Sequence, residues 1–181
     1  MTFREYSDLM KENFLKIKEE NILFWNLWNI NFVFEKIEDK EYKHYQNLER
    51  CISLLWRFND EKFIDEKLLR DESQAIINFS DDEYTYFDDY NISEFSIREL
   101  IVCLQTVIFN INEEIYGYEI YLSPINVIDI ILENDGISVI DENSFTNPMY
   151  MHEVNAQLKL SELLSKEVCN FTYKDRNIYR A

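Results

Sequence analysis

"FSIRELIVCLQTVIFNI", residues 95–111, is the stretch on which the fold turns. Its apolar residues Ile97, Leu100, Ile101, Leu104, Val107, Ile108 and Ile111 recur at steps of three and four, which places them on one face of an α-helix. Ser96 and Glu99 have the spacing of a capping box, and Phe95 and Leu100 that of a hydrophobic staple, so the helix is expected to start at this point.

The same signals recur along the chain. Ser80 and Glu83 repeat the box, with Phe79 and Tyr84 as the staple, and Thr2 and Glu5 repeat it at the N-terminus. Ser123 before Pro124 and Asn147 before Pro148 read as N-caps with proline at the first helical position. Gly117 and Gly136 follow helical runs and suit the left-handed residue that ends a helix. The chain has two Gly and two Pro in all, against roughly 12% for an average protein. A β-rich fold needs more turn residues than that. Glycine-rich phosphate loops are excluded, because neither the dinucleotide nor the P-loop motif is present.

A second stripe joins Tyr42, Tyr45, Leu48, Ile52 and Leu55, and a weaker third joins Val154, Leu158, Ser161, Leu164 and Val168. Residues 22–34, "ILFWNLWNINFVF", are apolar nearly all round, which predicts a central helix buried on several sides. Asn26, Asn29 and Asn31 interrupt this run, and it is too short to span a bilayer. Helices are expected near 3–18, 20–38, 40–58, 60–79, 96–115, 123–135 and 148–168, with 80–95 a loop or short helix. The tail, 169–181, has no helical period and is expected to be extended or loose. The expectation is one all-α domain over residues 1–181, a helical bundle of about seven helices.

At 181 residues, with 15% aromatic content, the chain is long enough to bury a core. The start of the chain is polar, with no apolar signal segment, which predicts a soluble cytoplasmic protein. Cys51, Cys103 and Cys169 are odd in number and far apart, so they are expected as buried thiols and not as a disulfide framework or metal site. His44 and His152 are the only histidines, and no zinc, di-iron or calcium-loop spacing exists. No nucleophile elbow is present, and no Cys has a His nearby in sequence. No catalytic, cofactor or metal residues are therefore expected, and the chain is not expected to be an enzyme.

The charge is segregated. Residues 1–70 carry 12 basic and 14 acidic side chains, and residues 158–181 carry 5 and 3. Residues 71–157 carry one basic residue, Arg98, against 18 acidic ones, so this segment holds the whole net charge of −17. Such a surface disfavours nucleic acid and anionic membranes and steers a cationic partner, with association up to ~10⁸–10⁹ M⁻¹s⁻¹ at low salt. The densest part is "DDEYTYFDDY", residues 81–90. One reading is local: Asp81, Asp82 and Glu83 follow the expected cap Ser80, where carboxylates favour a helix N-terminus by ~0.3–1 kcal/mol each. The other is a binding surface. Asp88, Asp89 and Glu94 are left unexplained by the dipole, and Tyr84, Tyr86 and Tyr90 are typical interface anchors.

Three places carry a family resemblance: "YQNLERCISLLW" at 45–56, "DDEYTYFDDYNISEFSIRELIVCL" at 81–104 and "NPMYMHEVNAQLKLSELL" at 147–164. The chain resembles the bacterial all-helical family numbered four-sixteen in the series of domains of unknown function. That resemblance implies an all-helical fold and no particular activity. More loosely, the chain resembles helical immunity proteins of contact-dependent inhibition and related polymorphic toxin systems. That likeness implies a non-catalytic protein that blocks a basic partner, the C-terminal toxin domain of a secreted effector, more in keeping with a nuclease than with a pore-former. The expected contact residues are Asp81, Asp82, Glu83, Tyr84, Tyr86, Asp88, Asp89, Tyr90 and Glu94. The alternative is a helical interaction or regulatory module for another basic protein.

Overall fold

Among the described residues seven α-helices follow one another: α1 (Phe3–Phe14), α2 (Glu19–Phe34), α3 (Tyr45–Glu61), α4 (Glu66–Glu83), α5 (Ile92–Ile111), α6 (Leu122–Asn134) and α7 (Pro148–Lys166), with a short 3₁₀ turn at Tyr173–Asp175. The computed structural model describes the backbone of residues 1–83, 91–111, 120–137 and 146–180, and their side chains except at 76–83 and 109–110. Among the described residues there is no strand.

Several expected boundaries are made by the residues that signalled them. The Thr2 hydroxyl accepts from the Glu5 amide at 3.2 Å, and the Glu5 carboxylate accepts from the Thr2 amide at 2.7 Å, closing the capping box of α1. Asn147 Oδ1 accepts from the Met149 amide at 2.9 Å, with Pro148 opening α7. Gly136, at φ +75°, ends α6. Its amide donates to Glu133 O and the Ile137 amide to Leu132 O, both at 2.9 Å, which is the two-bond Schellman pattern. Gly117 lies outside the described residues.

Three expected starts are displaced. Helix α5 begins at Ile92, and Asn91 Oδ1 accepts from the Glu94 amide at 3.2 Å. Ser96 is a fully buried residue inside that helix, and Glu99 accepts from Asn126 Nδ2 instead of closing a box. Ser80 lies inside α4, which runs on to Glu83. Helix α6 begins at Leu122, so Pro124 is its third residue. A proline is tolerated there because the first four amides of a helix have no intrahelical acceptor. Ser123 is buried and accepts from Cys103 Sγ at 3.2 Å.

The core surrounds α2. Ten of its sixteen residues are buried, and it packs against α3, α5, α6 and α7. The outer helices close round it through the pairs α3–α4, α4–α5, α5–α6, α6–α7 and α7–α1. One contiguous apolar cluster draws on all seven, from Tyr6 and Met10 through Trp25, Trp28, Leu48, Leu69, Ile97 and Ile125 to Tyr150 and Leu160. Cys51 and Cys103 lie in this core, and burial pushes both thiols up to about 12, which keeps them protonated and inert. Cys169 departs from the expectation, being half-buried on the tail. Among the described residues no helix is long and apolar enough to cross a membrane.

Candidate functional site

Two asparagines of α2, Asn21 and Asn31, hold the C-terminal tail. Asn21 Nδ2 donates to Leu164 O and Glu167 O, both at 2.7 Å, and its Oδ1 accepts from the Cys169 amide at 3.0 Å. Asn31 Nδ2 donates to Glu35 at 3.0 Å and to Asn177 at 3.2 Å. Between these points Phe171 lies against Phe24, ring centroids 4.9 Å apart, and its carbonyl accepts from Asn59 of α3 at 2.9 Å. Thr172 and Asp175 close a capping box on the 3₁₀ turn, and the Tyr173 amide donates to the Asp60 carboxylate at 3.2 Å. The tail is therefore non-helical apart from this turn, as expected, but it is fastened and not loose.

Its last fastening is Arg180. Tyr179, immediately before it, takes φ +67°, a conformation rare for an aromatic residue. The Arg180 side chain is 7% exposed and that of its partner Glu153 is 2% exposed. Arg180 Nε and Nη2 donate to the two Glu153 oxygens at 2.8 and 2.5 Å, a bidentate pair. Its Nη1 donates to Trp28 O at 2.6 Å, and the guanidinium lies over the Trp28 ring at 3.2 Å. Glu153 Oε1 also accepts from Gln157 Nε2 at 2.8 Å, and Gln157 Oε1 accepts from the Tyr6 hydroxyl at 2.5 Å. One polar network thus joins α1, α2, α7 and the chain's end. Burial pushes the Arg180 guanidinium below its ordinary value, opposed by Glu153, and pushes the Tyr6 phenol up. Nothing in the sequence pairs Arg180 with Glu153, 27 residues away. The nearest signal is that an invaded central helix needs partners for its polar residues.

With the tail in place a groove of about 240 Å³ opens between α2, α3 and the 3₁₀ turn. Asn31, Phe34, Glu49, Ile52, Ser53, Trp56 and Tyr173 line it. Trp56 and Tyr173 meet edge to face, centroids 5.5 Å apart at 73°, and Phe34 is backed by Tyr45 at 5.5 Å in a stacked pair. Sequence reasoning missed this groove, because one wall comes from the aperiodic tail.

The expected acidic site is reached only in part. Tyr84, Tyr86, Asp88, Asp89 and Tyr90 lie outside the described residues. Asp81, Asp82 and Glu83 lie in the last turn of α4, which holds no basic residue. This overturns the local explanation given for them above: a carboxylate near a helix C-terminus faces the negative end of the dipole. Glu94 goes the other way. It is half-buried in the first turn of α5, where the dipole accounts for it. Helix α6 repeats the arrangement of α4, with Glu133 in its last turn, Asp135 at its C-cap and no basic residue in that turn. On the same helix Asp129 is pushed up to about 7 by burial and then by Glu133, and it accepts a hydrogen bond from the Tyr150 hydroxyl.

Comparisons of the chain with protein-family models, with curated proteins and with solved structures return no match.

Proposed function

We propose that this protein is an immunity protein, one that neutralises a bacterial toxin by stoichiometric binding and not by catalysis. The toxin in this reading is a nuclease whose basic groove is filled by the acidic surface of residues 81–94. One observation carries the reading. The acidic excess is placed against the stability of the fold: α4 ends on Asp81, Asp82 and Glu83, and α6 on Glu133 and Asp135, with no basic residue in either last turn. Charges that helix electrostatics disfavours need another reason to be where they are, and a cationic partner supplies one. In the complex, carboxylates of the segment pair with Lys and Arg of the toxin, and Tyr84, Tyr86 and Tyr90 act as apolar anchors. The partner meets the protein in the cytoplasm.

Rescue of growth tests this. The C-terminal domain encoded directly upstream is expressed in a bacterial host with and without this protein. The expected result is rescue together with a one-to-one complex on purification. The double variant Asp88→Lys, Asp89→Lys is expected to fold normally and lose at least part of the rescue. A neighbouring domain that is toxic and is not relieved by the wild-type protein would end the reading.

A further inference from the structure

The C-terminal segment and the surface beneath it are unequally built. No described residue beyond Leu164 is buried; residues 165–180 are half-buried or exposed. The residues they lie on belong to the core. Trp28 and Asn29 are fully buried, and Asn21, Phe24, Trp56 and Asn59 are at most 3% exposed. Few buried apolar contacts mark the parts of a fold that open first. Tyr179, at φ +67°, adds a conformational cost to the docked state alone. The contacts themselves address a length of backbone and two side chains. Asn21 accepts from the Cys169 amide and Asp60 from the Tyr173 amide. Asn59 donates to the Phe171 carbonyl, and Trp28 Nε1 donates to the Ile178 carbonyl at 3.0 Å. The two anchors are Phe171 against Phe24 and Arg180 on Glu153. The link to α7 is Glu167, extended at φ −141° and ψ 156°, followed by the exposed Val168. The seven helices meet through contacts of their own.

We propose that residues 167–180 form an exchangeable strap, which opens while the seven helices stay folded and leaves a surface of α2, α3 and α7 that takes the same segment of a second copy of this chain. The occupant follows from the contacts. The surface already holds this sequence, meeting its backbone at four points and its two anchors, so a second copy's strap remakes every one of them. Exchange of an identical segment is a low-cost route to a dimer, and a reciprocal exchange closes at two chains. Neither residues 81–94 nor a toxin is involved.

The test uses the full chain, with a fluorescein-labelled peptide of residues 167–181 as the probe and a peptide of the same composition in scrambled order as the control. The probe binds only when the resident strap is open, so its apparent affinity scales with the open fraction. Arg180→Met in the full chain leaves Glu153 without its cation, and is expected to tighten the probe by about tenfold or more. Phe171→Ala removes a half-buried ring at the near end of the strap, and is expected to tighten it by about threefold or more. A probe that itself carries Arg180→Met is expected to bind about tenfold more weakly than the wild-type probe. Hydrogen exchange on the wild-type chain reads the opening without any variant. The Cys169 and Tyr173 amides are expected to exchange together, and faster than the amides of α2 and α5. Light scattering is expected to show a dimer that grows with protein concentration and is dispersed by excess probe. Strap amides that exchange only with those of α2 and α5 would overturn the proposal. So would a probe that binds Arg180→Met no tighter than wild type, or a scrambled probe that binds as well. A dimer that forms while the probe does not bind would place the interface elsewhere and overturn it too.

Discussion

At the chain's end Arg180 is buried with an acceptor for each of its nitrogens. The last turns of α4 and α6 carry acidic residues where the helix dipole disfavours them, and neither turn contains a basic residue. The two regions use charge for different ends. Around the tail several charges are spent inside the fold: Arg180 on Glu153, Asp60 on the Tyr173 amide, and Glu35 on Asn31 and Asn177. Such pairs fix one arrangement of the chain. Within residues 71–157, Glu133 and Asp135 at the end of α6 are exposed, and a net charge of −17 on the segment disfavours the compact state. The difference separates a region whose charges fasten the fold from one whose charges helix electrostatics disfavours.

The largest expected effect breaks the first half of this comparison. Arg180→Met removes the cation and leaves Glu153 buried and unpaired, which typically costs about 3–5 kcal/mol. Urea denaturation of the variant is expected to show that loss, with the tail detached. The double variant Arg180→Met, Glu153→Leu is expected to recover much of it, because replacing a buried ion pair by apolar residues is often close to neutral. A single variant as stable as the wild type would mean that the tail is an ornament of the fold and not a fastening.

The tail was also the least legible part of the sequence, and for a physical reason. Periodicity reports on a residue's face within its own element, so Leu48, Leu104 and Leu164 announced themselves as core. Arg180, Phe171 and Asn177 belong to no periodic element, and their partners lie on α2, α3 and α7. The helices themselves were legible, and Thr2, Asn147 and Gly136 do what their residue types suggested. Ser96 and Ser80 show the limit. The pattern of a Ser followed three residues later by Glu also arises inside a helix, and there the serine lies on a helix that another residue starts, as Asn91 starts α5. The shifted frame reversed the meaning of Asp81, Asp82 and Glu83, from charges a helix welcomes to charges it resists. The groove was illegible because Tyr173 and Asn31 are 142 residues apart and meet only once the tail docks.

A second measurement sharpens the account of the acidic region. Asp129 is held at about 7 in the fold, against roughly 3.9 for an unperturbed aspartate. Between those values the folded state binds the extra proton, so this group's contribution to stability is present below about pH 4 and lost as pH rises through 7. The Tyr150 hydroxyl, which donates to the carboxylate, works against the shift. Urea midpoints taken from pH 4.5 to 8 are expected to fall with rising pH, and Asp129→Asn is expected to flatten that slope. Added salt at pH 8 is expected to restore part of the loss by screening the surrounding carboxylates. A midpoint that rises with pH would mean that the negative charge of this segment is compensated within the fold.

The smallest expected effect bears on the comparison most directly. Asp135 is the exposed C-cap of α6, one residue before the left-handed Gly136, and the helix is ended by backbone bonds and not by a charged side chain. Asp135→Lys leaves those bonds in place and turns a disfavoured charge at the helix C-terminus into a favoured one. The expected gain is ~0.3–1 kcal/mol at low ionic strength, fading with salt. Thermal unfolding at two salt concentrations measures it. The matching substitution at Arg180 can only lose stability, because its charge is already used. If Asp135→Lys gains nothing, the acidic ends of the helices are satisfied locally and need no partner to explain them. If it gains stability, the fold tolerates a charge it would be better without, and the reason for that charge lies outside the molecule.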